Sequence, residues 1–205
     1  MELYLAILIF ALSSTVTPGP NNIMIMTSGL NFGIRRSMPH LLGICIGFPL
    51  MVVAVGIGFG ALFEQFPVFH EVIKVLGVGY LLYLSWMVAT AAPSSMESDS
   101  KSRPLSFFQA ALFQWVNPKA WVMATGAVAA YTTQNAEILL QVLVIGLAFF
   151  LVAFPCVGVW LVCGSALKRF LREARYQRLF NLSMALLLVV SILPVVNELR
   201  QTYLI

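Results

Sequence analysis

The stretch "TPGPNN" at residues 17 to 22 interrupts an otherwise apolar run that extends from about residue 3 to residue 29. Proline lacks an amide donor and its ring clashes with the preceding turn, so Pro18 and Pro20 break a helix here. Asn21 and Asn22 add side-chain donors and acceptors at the same point. What such a break means depends on the solvent around it. The chain has 205 residues, 60% of them hydrophobic and 10% charged, with a mean hydropathy of +0.91. That leaves too little polar surface to cover a water-soluble globule, so the chain is expected to be an all-α integral membrane protein. In hydrocarbon, each unpaired backbone group costs several kcal/mol, and irregular backbone survives only against protein or a water-filled cavity. "TPGPNN" is therefore expected to open the first helix toward a polar site.

Working outward, a hydrocarbon core needs roughly 20 apolar residues per helix, and six stretches qualify: about 3–29, 38–62, 70–91, 106–131, 137–166 and 179–203. They fill one transmembrane domain over residues 1–205, with short polar connections and no soluble domain. The first run carries Glu2 and no Lys or Arg ahead of it, so it is expected to stay as a helix rather than to be removed as a signal peptide. Nine of the twelve Lys and Arg residues lie in the first, third and fifth connections: Arg35, Arg36, Lys101, Arg103, Lys168, Arg169, Arg172, Arg175 and Arg178. By the positive-inside rule those connections are cytoplasmic and both termini lie outside. The net charge of +4 is thus explained by topology, and no nucleic-acid partner is expected.

The two halves share a layout. Pro18 recurs as Pro118 and the "FP" at Phe48 and Pro49 recurs at Phe154 and Pro155, offsets of 100 and 106 residues. With three helices in each half (about 3–91 and 106–203), the second half enters the membrane from the opposite side, as in the inverted repeats of secondary transporters. The second break, "QWVNPKAW" at 114–121, has the grammar of a helix start, with Asn117 as cap, Pro118 at the first helical position and Lys119 in the first turn. At the first break, Thr17 and Pro18 or Asn21 are expected to serve similarly. Both breaks fall near mid-membrane, at about 22 and 18 Å along their helices. The two half-helix amino ends then face each other, each with a partial positive charge and unpaired amides that suit a carboxylate.

Lys119 is the one charged residue placed deep in a span, where it costs at least ~2.5 to 3.5 kcal/mol. The expected substrate site is Thr17, Pro18, Gly19, Pro20, Asn21, Asn22, Gln114, Asn117, Pro118 and Lys119. The alternatives are structural: a Lys119 that snorkels or caps a neighbouring kink, prolines that only kink helices, and asparagines that only satisfy the broken backbone. Gly29/Gly33, Gly43/Gly47 and Gly56/Gly60 are spaced for close helix contact, inside the chain or across a homodimer seam. His40 and His70 fall near span ends and are expected at the surface. No metal-ligand spacing, P-loop or dinucleotide fingerprint occurs, so no cofactor is expected. Cys45 and Cys156 lie in corresponding helices of the halves, which leaves open a transmembrane thiol-disulfide relay, although apolar surroundings disfavour the thiolate. A passive channel is the third class.

With "TPGPNN" in the first helix and "NPKAW" in the fourth, within six spans, the sequence resembles the LysE/RhtB family of bacterial amino-acid exporters over essentially its whole length. Within that family it looks closest to exporters of cysteine and O-acetylserine. The resemblance implies efflux across the inner membrane driven by an ion gradient, with protons as the coupling ion, and no enzymatic activity. It maps onto residues 17–22 and onto Asn117, Pro118 and Lys119. No Asp or Glu falls deep in a span, so a cationic amino acid would meet no buried counter-charge. A small neutral amino acid fits better. The proton carrier is left to Lys119, a histidine or the substrate itself.

Overall fold

The structure is a computed structural model that describes residues 2–59, 65, 67–91, 103–133, 137–171 and 173–204. Among these residues the secondary structure is helical throughout. The elements are α1 (Glu2–Val16), α2 (Pro20–Ala54) continuing into a π-turn (Val55–Phe59), α3 (Pro67–Ala89), α4 (Phe107–Phe113) followed by a 3-10 turn (Gln114–Val116), α5 (Pro118–Tyr131), α6 (Ile138–Phe170) and α7 (Ala174–Leu204). Both expected breaks are present, between α1 and α2 and between α4 and α5.

Among the described residues three helical stretches, Pro20–Gly58, Ile138–Leu167 and Ala174–Gln201, are long and apolar enough to cross a membrane. The first, at 39 residues, would reach about 58 Å as one rod, nearly twice a hydrocarbon core. It is not one rod. Gly33 has φ 76 and ψ 173, a conformation essentially confined to glycine. Ser28 Oγ and His40 Nδ1, on either side of it, lie 2.9 Å apart, whereas twelve residues of straight helix would separate them by about 18 Å. The chain therefore folds back at Gly33 into two antiparallel arms, α2a (20–32) and α2b (34–54). The shorter apolar helices are Glu2–Val16, Val75–Ala89 and Phe107–Val116.

The reversal corrects the expected first connection, because helix runs up to Gly33 from both sides and a single residue makes the turn. Arg35 and Arg36 are exposed just beyond it, with the Arg36 guanidinium over the Phe32 ring at 5.7 Å from the centroid. It also corrects His40, which is 1% exposed and faces Ser28 across the turn rather than lying at the surface. His70 lies in α3, but its side chain is outside the described residues. The basic segment at 168–178 is mostly helical too, with α6 ending at Phe170 and α7 beginning at Ala174. Lys and Arg are excluded from the hydrocarbon but are good helix formers, so a span ends earlier than its helix.

Packing produces two apolar clusters. One gathers Ile23, Ile25, Ile44, Leu81, Phe113, Val157 and Leu188; the other gathers Ile7, Ala11, Phe48, Met51, Ala120, Ala124 and Phe149. α6 lies along α2, and α7 along α3. Gly29 approaches α6 at Leu161, and Gly43 and Gly47 approach α4, which accounts for that glycine spacing inside the chain. Gly33 has no such neighbour, since its requirement is torsional, and Gly60 lies outside the described residues.

Candidate functional site

Both breaks sit at the junction of the two clusters. Going along the chain, Ala11 belongs to one cluster and Ile23 to the other, with the first break between them. Phe113 and Ala120 flank the second break in the opposite order. The helices thus run antiparallel, and the amino ends of α2a and α5 both open into the junction.

Breaking α1 at Val16 frees a set of carbonyls, and their partners account for the local sequence. Asn22 Nδ2 donates to Thr15 O and Thr17 O, both at 2.8 Å. Trp160 Nε1 donates to Val16 O at 3.2 Å. Lys119 Nζ donates to Thr17 O at 2.7 Å, to Thr17 Oγ1 at 2.8 Å and to Pro18 O at 3.3 Å. An ammonium has three N–H groups, so this one is fully engaged across the break. The helix then restarts with Gly19 as cap and Pro20 in its first turn, and no side chain caps it. That corrects the expectation that Thr17 and Pro18 or Asn21 would do so. Gly19 is extended, with φ −177, and is needed for space: a Cβ there would lie 2.6 Å from Lys119 Cδ.

The second break follows its sequence grammar. Asn117 caps α5, its side chain accepting from Lys119 N at 3.2 Å, and Pro118 is the first residue of the helix. Trp121 Nε1 donates to Trp115 O at 2.7 Å, closing the turn, with the two rings edge to face. A reciprocal amide pair joins the breaks: Asn21 Nδ2 to Gln114 Oε1 at 2.8 Å and Gln114 Nε2 to Asn21 Oδ1 at 3.1 Å. Gln114 Nε2 also donates to Ala110 O at 2.8 Å. Such an amide pair, fully buried at Gln114, is strong only because both members are satisfied.

The ten expected residues are therefore together, but they divide by role. Gly19, Asn21, Asn22, Asn117 and Lys119 line a cavity of about 30 Å³, room for a water or two. Thr17 and Pro18 supply carbonyls to Lys119, Gln114 locks Asn21, and Pro20 and Pro118 start the two helices. In this state Lys119 and Asn22 cap the broken backbone, so the structural alternative for them is realised here. Thr15 was missed. It lines the same cavity, as does Ser14, and its Oγ1 is buried without a hydrogen-bond partner. The polar run Ser13 to Thr15 inside an apolar stretch was the available signal. Among the described residues no Asp or Glu lines this cavity and no group of His, Cys, Asp and Glu is arranged for a metal. Cys45 and Cys156 are free and buried.

A family model described as "LysE type translocator" matches residues 12–193, a segment that contains both breaks, the Gly33 reversal and most of α7. Proteins named "Cysteine/O-acetylserine efflux protein" from Escherichia coli K12, Escherichia coli O1:K1 and Shigella flexneri are 30% identical to the chain over 183 residues, covering 88% of it and 90% of their own length. No solved structure matches the chain. A family model spanning nearly the whole bundle, with relatives of matching length, settles the class: the chain is a multi-pass membrane transporter rather than an enzyme, and it belongs to the LysE-type translocator family.

Proposed function

We propose that the chain exports small neutral amino acids or their derivatives, of the cysteine and O-acetylserine class, across the bacterial inner membrane in exchange for protons. The observation that carries this is the Lys119 ammonium, held between two facing helix starts by nothing more than two carbonyls and a hydroxyl. A substrate carboxylate makes stronger, charge-assisted bonds than these neutral acceptors. It would take their place on Lys119 while the amino ends of α2a and α5 supply the remaining donors. With no carboxylate among the described residues that line the cavity, a cationic side chain would go uncompensated, whereas a neutral one would not.

The architecture we infer is six spans in two inverted repeats: α1 with α2a, α2b and α3 in one half; α4 with α5, α6 and α7 in the other. In its favour, each half opens with a helix broken at the cluster junction, and Pro49 in α2b is matched by Pro155 in α6. Rocking of one repeat against the other would expose the central site alternately to each side.

The test is transport by purified protein in sealed vesicles with an imposed pH gradient. Labelled O-acetylserine is expected to accumulate, to lose accumulation on addition of a protonophore, and to be displaced by cysteine but not by lysine or arginine. Equilibration without accumulation would make the protein a channel. Potent competition by lysine would overturn the substrate class.

A further inference from the structure

A second cavity, of about 200 Å³, lies at the end of the bundle that carries Arg35, Arg36 and Arg103. At roughly 10 to 15 Å³ per water on this measure, it has space for a dozen or more, against one or two in the central cavity. Its wall comes from α2a, α2b, the end of α3 and the segment leading into α4. The polar groups in it are deeply placed. Ser28 and His40 are 6% and 1% exposed and hydrogen-bonded to each other at 2.9 Å. Asn31 is held by Asn181 of α7 through reciprocal bonds of 3.2 and 3.3 Å. Polar groups in a bundle interior carry a desolvation cost that their pairing offsets, and the result is a preformed hydrogen-bonding wall. Among the described lining residues Arg103 is the charged one, exposed at the mouth, and there is no Asp or Glu.

This cavity is continuous in register with the central site. Asn21 lines the central cavity, and Met24, Ser28 and Asn31 line the second. Spaced three, four and three residues apart, they fall on one face of α2a. Ser28 lies about 10 Å along the helix from Asn21. We propose that the second cavity is an amino-acid binding site in its own right, which holds the substrate carboxylate at Arg103 and a neutral polar side chain against Ser28 and His40 before transfer along α2a to Lys119. This rests on the amino-acid-export reading above and adds a second site to it.

The experiment separates the two. In a background with Cys45→Ala, Cys156→Ala and Cys163→Ser, which removes every native thiol, Thr27→Cys places a thiol on the second cavity wall. Its conversion to a mixed disulfide by a methanethiosulfonate reagent, with release of methanesulfinate, is followed with and without O-acetylserine. Protection is expected in the otherwise native chain, is expected to persist when Lys119→Ala removes the central partner, and is expected to weaken at least tenfold in concentration with Arg103→Gln and to recover in part with Arg103→Lys. Protection that disappears with Lys119→Ala reports only the central site and overturns the proposal, as does protection indifferent to Arg103→Gln. A native chain that exports O-acetylserine while Thr27→Cys is never protected overturns it too and leaves the exporter reading intact. Failure to transport any amino acid is the separate result that removes the exporter reading.

Discussion

Lys119 is engaged twice over at the scale of single residues: its amide is received by the Asn117 cap and its ammonium spends all three protons on the facing break. Removing a charged partner from a buried hydrogen-bonded pair commonly costs about 2 to 5 kcal/mol, or roughly 30- to 5000-fold in affinity. Lys119→Ala is therefore expected to abolish export at ordinary substrate levels. Its effect on folding should be smaller, about 1 kcal/mol, because Thr17 O keeps its bond from Asn22. Binding of O-acetylserine by purified Lys119→Ala at native affinity would refute the role. Gly19→Ala provides the same test with the charge retained. The atoms nearest the added methyl all belong to the flexible Lys119 side chain, so the helix should form normally while the ammonium is pushed off its partners. Expression and melting are expected near native, with export reduced at least tenfold, a fall equivalent to about 1.4 kcal/mol. Lys119→Arg is expected to fail as well, since a planar fork does not fit where a compact ammonium lies against Gly19.

At the scale of elements, three devices shape the bundle: two helix breaks and one single-residue reversal. The breaks were legible in the sequence because proline and glycine act locally, and "NPK" specifies a cap, a first residue and a first-turn side chain without help from the rest of the chain. The reversal was not. A lone glycine between "NF" and "IRR" reads as part of a loop, and it takes the helix on both sides of it together with the Ser28–His40 contact to show that the chain folds back there. For the same reason His40 was expected at the surface: its burial depends on which arm folds against it, which is tertiary information. Thr15 was likewise hidden: Ser14 lines the cavity beside it, and nothing local tells that the Thr15 hydroxyl is the one left without a partner. The reversal makes a prediction. A side chain at Gly33 would meet no neighbour, so Gly33→Ala tests backbone torsion alone, and it is expected to cost about 1 to 3 kcal/mol. Thermal unfolding in detergent should show a clear drop in melting temperature. Gly79→Ala, which also meets no neighbour but lies within α3 without a positive φ, should show none.

The whole molecule has a direction, and its charges set it. Arg35 and Arg36 follow the Gly33 reversal, Arg103 precedes α4, and Arg175 and Arg178 begin α7, so these five basic residues gather at one end of the bundle, with Lys119 at the central site. The opposite end holds the start of α1, the π-turn after α2b, the start of α3, the α5–α6 connection and the end of α7, where the described residues include Glu2 and Glu137 and, of the basic residues, Lys74 and Arg200. Lys and Arg near span ends are retained on the cytoplasmic side, so the larger cavity is expected to face the cytoplasm and both termini the outside. That arrangement would suit the proposed export, because substrate would be collected at the wide polar cavity and passed outward to the central site at Lys119. Labelling of single cysteines in intact cells checks it, again in the background without native thiols. Glu2→Cys is expected to react with a membrane-impermeant maleimide from outside, and Ser102→Cys only after the cells are opened. The reverse pattern would turn the bundle over, leave the 200 Å³ cavity facing outward, and make it a point of release rather than of uptake.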